Sequence, residues 1–406
     1  MNNIIKIAIV GGGASGLFLA TALDSERVVL FERGDRVGKK LSATGNGQGN
    51  ISNLQAENGG YFSHTQAGVE LANQLAKRFG VDDLRAYFRS LGVLLTVDER
   101  GRLYPAGKQA SALTDALRFA VAKKGVQTRT GEKIEKIEKA KGGFRLISDK
   151  GEYFAENVIL ATGGKASKNF GTDGNGYALA QGLGHSVTAL YPALVQVKTV
   201  TSDIKTLKGI RVSPAKVTAE YVENGKTTKK TLTGDLLFTD YGVSGDLIFR
   251  LSAFFSDKIE KGVRLFIDFL PEFSLDELTE VVKEKRRRYP ETPFGELLCG
   301  IVNNQVGRAV TKKAKTENLQ DAVALLKNFP LTVTGTLGFD YAQVTKGGIK
   351  IEEVDENLQS KKANGLYFTG EILDIDGECG GFNLQWAYSS AMAVATALNE
   401  KTRGQV

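Results

Sequence analysis

The chain opens on a nearly unbroken apolar run, Ile4 to Val10, interrupted only by Lys6. A run without polar alternation predicts a parallel strand buried on both faces. Glycines follow at 11, 12, 13 and 16, and Leu17, Leu19, Ala20 and Leu23 then recur at helical spacing. A second apolar run, Arg27 to Phe31, predicts another strand that ends at Glu32. Val126 to Thr130 and Gly131 to Ile137 predict a strand and an edge. Phe144 to Ser148 and Tyr153 to Ala155 predict a hairpin, and Asn157 to Leu160 a further parallel strand. Near the other end, Gly365 to Thr369 predicts a short buried strand. Gly380-Gly381 then opens a helix from Asn383 to Leu398, with Leu384, Trp386, Ala387, Ala391 and Val394 apolar.

Between these ends the period changes. From Leu190 to Phe269 the pattern is β-like, with Lys216–Val222, Thr228–Leu232 and Val263–Phe269 as strands, Glu223 to Lys226 as a hairpin turn, and Phe238 to Gly245 as a polar loop. From Pro271 to Pro330 it is helical, and Ser274 with Glu277 forms a capping box for a helix through Lys285. The expected architecture is α/β. A Rossmann-like domain of residues 1–190 and 335–406 is split by a β-rich domain, 191–270, and a small helical domain, 271–334.

Gly11, Gly13 and Gly16 stand at GxGxxG spacing between strand and helix. The first permits a tight turn, the second admits a pyrophosphate to the backbone, and the third lets helix and strand pack closely. The helix start at Ala14 and Ser15 aims its N–H groups at the phosphates. Glu32 stands 21 residues after Gly11, where a ribose-hydroxyl acceptor belongs. Its charge disfavours a 2′-phosphate. Arg33, Lys133 and Ile134 are expected beside the adenosine, and Ala161, Thr162 and Gly163 where a backbone crosses near the dinucleotide. The segment from Lys40 and Leu41 to Asn50, with Thr44, Gly45, Asn46 and Gly47, offers amides and charge to phosphates or a flavin edge. The acidic loop at Gly370, Glu371, Asp374 and Asp376 suits ribityl hydroxyls. Gly381, Phe382, Asn383 and Leu384 would point a helix N-terminus at the flavin. Two half-sites from opposite ends imply one long cofactor, FAD.

Composition changes this picture little. The 406 residues suffice for about two to four domains. A net charge of +7 permits a polyanionic partner without requiring one, and acids nearly cancel the basic clusters 283–288 and 308–315. Nucleic acid is therefore not expected as a partner. Two cysteines without a CxxC pair point to a reducing, cytoplasmic setting. No run is long enough to span a bilayer. His64 and His185 are too few for a metal site.

The motifs LSATGNGQGNISN (41–53), GRLYPAGKQAS (101–111), VILATGGKASKNFGTDGNGYALAQGLGH (158–185), LLFTDYGVSG (236–245), AQVTKGGI (342–349) and LYFTGEILDIDGECGGFNLQWAYSS (366–390) carry a resemblance over nearly the whole chain. The chain resembles the BaiN/YhiN-like three-domain bacterial flavoproteins, nearest their aminoacetone oxidase branch. The resemblance implies non-covalent FAD. Many members carry Arg-Cys where this chain has Gln48-Gly49, so any chemistry that needs that thiol is absent here.

No second GxGxxG unit occurs, since Gly335-Thr336-Leu337-Gly338 has the wrong spacing. This favours hydride transfer directly from a substrate to flavin and onward to dioxygen. Together with the resemblance it implies an amine oxidase converting aminoacetone to methylglyoxal, ammonia and hydrogen peroxide. An NAD(P)H-dependent flavin reductase of an unsaturated or steroid-like substrate is the alternative, and a nucleic-acid-binding flavoprotein the third reading. No catalytic side chain is strictly required. Lys346, in the Thr-Lys-Gly-Gly turn, is a speculative cation for oxygen reduction, set against a turn lysine in solvent.

Overall fold

Ile7, Ala8, Ile9 and Val10 are buried in the first strand, Ile5–Val10, because neighbours flank it on both edges and helices cover it. The computed structural model describes residues 4–314 and 317–404, which fall into two compact units. One runs to Tyr191 and resumes at Gln343; the other is Pro192–Ala342.

The first unit holds a seven-stranded sheet. Gln127–Thr130, Val28–Glu32, Ile5–Val10 and Glu152–Leu160 lie side by side, all parallel. The strand Glu152–Leu160 joins two predicted strands into one and changes partner along its length. Residues 152–155 pair antiparallel with Gly143–Ser148, while Val158–Leu160 pair parallel with Leu366–Phe368. The C-terminal helix, Phe382–Arg403, exceeds its expected length at both ends. Phe18 of the helix Ala14–Ala22 meets Tyr388 edge-on at 5.4 Å. The first and last helices thus share one core.

The second unit is a closed six-stranded barrel in the order 197–199, 242–244, 226–238, 211–223, 264–268, 329–336. Its long hairpin turns at Asn224 (φ 50°) and Gly225 (φ 74°), the left-handed pair that matches strand twist. The expected polar loop at 238–245 contains a short strand, Gly242–Ser244, and leads into a helix, Asp246–Phe255. The strand Phe329–Thr336 closes the barrel, although most of it fell within the small helical domain expected over 271–334. Its alternating burial, Phe329, Leu331 and Val333 inward, is the strand period. The helix Leu275–Arg288 carries the predicted capping box, and its Leu278 and Val282 lie in the barrel's own hydrophobic cluster. Set beside expected boundaries at 190/191, 270/271 and 334/335, the unit boundaries fall at 191/192 and 342/343, with strands and helices in one unit. Within the basic clusters, Lys283 pairs with Glu280, Arg288 with Glu284, Arg308 with Glu296 and Lys313 with Asp203. Lys315 lies outside the described residues. No helix among the described residues is long and apolar enough to cross a membrane.

One buried polar cluster sets a pH limit on the first unit. His185 is buried, with Nε2 2.7 Å from Ser360 Oγ and Nδ1 3.0 Å from the Glu353 carboxylate. Burial alone would raise the pKa of Glu353. Lys362 at 2.6 Å and the Ser186 N–H at 2.8 Å outweigh it and bring the carboxyl down to about 2. A depressed carboxyl contributes stability that is present above its ordinary pKa of 4.5 and lost as pH falls toward 2. Urea denaturation of the wild type should therefore weaken across that window more steeply than denaturation of Glu353→Gln. Parallel curves would refute the assignment.

Candidate functional site

Val10, Glu32, Leu160 and Phe368 end neighbouring parallel strands at one edge of the sheet, where ligands of open α/β sheets bind. The glycine turn leaves the first of these ends. Gly11 has φ 111°, and a Cβ there would lie 2.5 Å from Ala161 O. A Cβ on Gly16 would lie 2.0 Å from Gly11 O, whereas one on Gly13 would meet nothing within 4 Å. The turn therefore has two closed glycines and one open to a ligand.

Glu32 is fixed by two backbone donors, Gly12 N to Oε2 at 2.9 Å and Gly34 N to Oε1 at 2.6 Å. A carboxylate oxygen has two acceptor positions, so Glu32 keeps acceptor capacity beyond these two bonds. Gly11, Gly13, Glu32, Arg33, Lys40, Lys133, Ile134, Ala161 and Thr162 line one cleft. Among the lining residues that sequence reasoning missed are Arg36, Glu132, Thr172 and Asn175. Thr172 and Asn175 sit in the GTDGNG stretch, whose turn residues were the available signal. Arg33 pairs with Asp173 at 2.6 Å across the cleft mouth.

The two ends of the chain meet. Ser15 Oγ donates to Thr369 O at 3.4 Å, and a Cβ on Gly370 would lie 2.8 Å from Ser15 Oγ. Lys40 Nζ reaches Glu371 Oε2 at 2.9 Å, and Thr345 N donates to Oε1 at 2.8 Å. Trp386 Nε1 donates to Gly370 O at 3.1 Å and fixes the acidic loop to the last helix.

The other expected residues form a second cluster. Gly381 brings its Cα against the Ser52 backbone. Phe382 is buried, Leu384 is half-buried, and Asp376 is fully buried. The Asn383 amide exchanges bonds of 2.8 Å with Gly377 N and O, and Asn50 Nδ2 donates to Ser52 O and Leu103 O. Leu41 is buried and Thr44 Oγ1 bonds back to Leu41 O. The Thr44–Gly49 loop closes on itself, because the N–H groups of Gly47, Gln48 and Gly49 bond to Thr44 or Gly45 carbonyls. Those three donors are thus used within the loop. Gly45 and Asn46 provide the left-handed turn it needs, and Gly163 a similar one after Thr162. Gly49 has φ 78°, and a Cβ there would lie 2.9 Å from Ala110 Cα.

Lys346 differs from the expected solvent lysine. It ends the short strand Val344–Lys346 and is only 7% exposed, with the glycine turn after it.

His64 also gains a setting that its isolation in sequence did not suggest. The strand Tyr61–Phe62 pairs with Asp376-Gly377, so the residues just beyond each strand end face one another. His64 Nδ1 is 2.8 Å from Asp374 Oδ1, and Asp374 Oδ2 accepts from His64 N at 3.1 Å and Ser63 Oγ at 3.3 Å. The Asp374 side chain is 2% exposed and the imidazole 31%.

These residues fit FAD. Closed glycines at 11 and 16, open space at 13, an acid at the second strand end and a helix N-terminus at Gly381 match what a flavin dinucleotide demands.

The description "HI0933-like protein Rossmann domain" matches residues 5–397. A 3-dehydro-bile acid delta(4,6)-reductase from Clostridium scindens is 34% identical, over 98% of this chain and 99% of its own. A ribosomal RNA dihydrouridine synthase from Escherichia coli is 29% identical, over 96% of this chain and 97% of its own. Among solved structures, the open conformation of a flavocytochrome c3 fumarate reductase superposes with a TM-score of 0.52 at 16% identity. It covers 99% of this chain and 79% of that one, a likeness of fold alone.

Proposed function

The chain belongs to the HI0933-like Rossmann family and is an FAD-dependent oxidoreductase, and from that premise we propose that it reduces a carbon–carbon double bond conjugated to a carbonyl. A 3-oxo bile acid unsaturated at carbons 4 and 6 and a uracil ring both contain that unit. The observation that carries the reading is the end-to-end match, through both halves of the dinucleotide site, to relatives named for reducing one and saturating the other.

Bound FAD supplies or accepts a hydride at its N5. The chain's own groups do the rest. Gly13 and the helix start at Ala14 and Ser15 would hold the pyrophosphate. Glu32, with Arg33, Lys133 and Ile134 around it, would hold the adenosine. Glu371, held by Lys40 and Thr345, would face the ribityl chain, and the helix start at Gly381–Leu384 would receive the ring.

A second reading, oxidation of aminoacetone with dioxygen as acceptor, is favoured by Gln48-Gly49. Gly49 packs its backbone against Ala110, and no thiol stands at that position. In that reaction Lys346, buried rather than in solvent, would be the cation near the flavin.

The deciding experiment uses the yellow holoprotein without air. Chemically reduced enzyme mixed with a 4-en-3-one steroid, or with uridine-containing ribosomal RNA, should regain its oxidised spectrum; oxidised enzyme should not bleach with aminoacetone. Bleaching by aminoacetone, with peroxide released when air returns, would replace the first reading with the second.

A further inference from the structure

We propose that His64 and Asp374 form the proton-transfer pair of the flavin site, with His64 Nε2 exchanging the proton and Asp374 positioning the ring. The proposal rests on the flavin oxidoreductase reading but not on which substrate is correct.

The argument begins with the carboxylate. Asp374 is buried, and its three donors all come from residues 63 and 64. A buried carboxylate costs several kcal/mol unless it is well bonded, so this one is built to hold a neighbouring group still. It engages Nδ1, which fixes a proton there in the neutral ring and leaves Nε2 as the exchanging nitrogen. The imidazole's 31% exposure keeps that nitrogen open to a proton source, while the 2% exposure of the Asp374 side chain shields the orienting bond. This is the base-and-orienter arrangement of acid–base catalysis.

Its position is equally specific. Asp374 lies between Glu371, bonded to Lys40, and Asp376, paired with Phe62 in the strand ladder. The same loop is anchored by Asp374 N to Ile349 O at 3.0 Å. The pair is thus part of the acidic loop of the second half-site, three residues from Glu371. Other titratable and charged groups on the packed elements are Tyr61 on the same strand, Glu70, Lys77 and Arg78 on the helix Gln66–Arg78, Glu352 and Glu353 on the turn Ile351–Glu353, and Glu371 and Asp376 on the loop.

In the reducing direction the substrate's β-carbon gains a hydride from reduced FAD. The π electrons shift toward the carbonyl, and the α-carbon takes the Nε2 proton of the His64 imidazolium, which becomes the neutral Nδ1–H ring. The N–H electron pair stays on the ring, which takes a replacement proton from water. In amine oxidation the neutral ring instead removes the proton of the substrate ammonium before hydride leaves the adjacent carbon.

The test compares wild type, His64→Gln and Asp374→Asn as holoproteins of equal FAD content. With whichever substrate reacts, His64→Gln should slow the flavin step about 100-fold or more and erase the pH dependence that His64 imposes. Asp374→Asn should shift that pH dependence to lower pH. An unchanged rate and pH profile in His64→Gln would overturn the proposal. A second readout needs no turnover. The chain has two histidines, so nitrogen-15 imidazole spectra contain two sets of signals, and His64→Gln identifies one. Loading and then reducing FAD should move the His64 signals. Signals indifferent to both would overturn the pair even if neither substrate proves correct.

Discussion

Gly16→Ala yields a chain that does not retain FAD. The added methyl would sit 2.0 Å from Gly11 O and 3.4 Å from the Ala161 methyl, so the helix must move away from the strand. Overpacking of this kind costs about 1–3 kcal/mol in stability. The larger loss is in affinity, because the displaced helix start and Gly11 turn form the proposed phosphate cradle. Gly13→Ala separates the two effects, since its methyl would meet nothing within 4 Å. It should keep the apoprotein's unfolding midpoint while lowering FAD affinity about tenfold or more, a loss of roughly 1.4 kcal/mol or greater. The flavin-to-protein absorbance ratio after gel filtration, together with apoprotein thermal unfolding, reads both. A Gly16→Ala protein that emerges yellow at unit stoichiometry would defeat the explanation.

The second large effect is expected at Glu371→Ala. This carboxylate holds Lys40 and the Thr345 N–H, and 331 residues separate it from Lys40. Both side chains are at most a quarter exposed, 25% and 19%, so the pair is only partly screened. Removing one partner leaves an ammonium and an amide unmatched, at a cost of about 2–3 kcal/mol after allowing for that exposure. Flavin binding should weaken as well, because the pair joins the segment after the strand Val28–Glu32 to the loop after the strand Leu366–Phe368. A double-mutant cycle with Lys40→Met measures the coupling. A value under about 0.5 kcal/mol would mean that the two loops are held by other contacts.

Much of the site was readable because its demands are local. Gly11, Gly13 and Gly16 needed only their spacing, and Glu32 only its distance from them. The capping box at Ser274 and the turn at Asn224-Gly225 were equally local. What escaped depended on residues far apart in sequence. His64 looked solitary because its partner is 310 positions away. Lys346 looked like a turn residue because the strand that buries it is three residues long. The strand 329–336 was absorbed into a helical stretch because its register is set by Arg264–Asp268 rather than by its own turns. Arg36 and Glu132 belong to the cleft through loop geometry, which no spacing rule encodes.

Gly49 closes a route as well as a turn. Its left-handed backbone and the Ala110 main chain 2.9 Å behind it strain any side chain there, so a cysteine installed by one substitution would push against the neighbouring helix. The neighbouring helix, Ala110–Lys123, would first have to withdraw. A lineage or an engineer starting from this sequence would pass through a destabilised intermediate before a sulfur at that position could contribute to turnover.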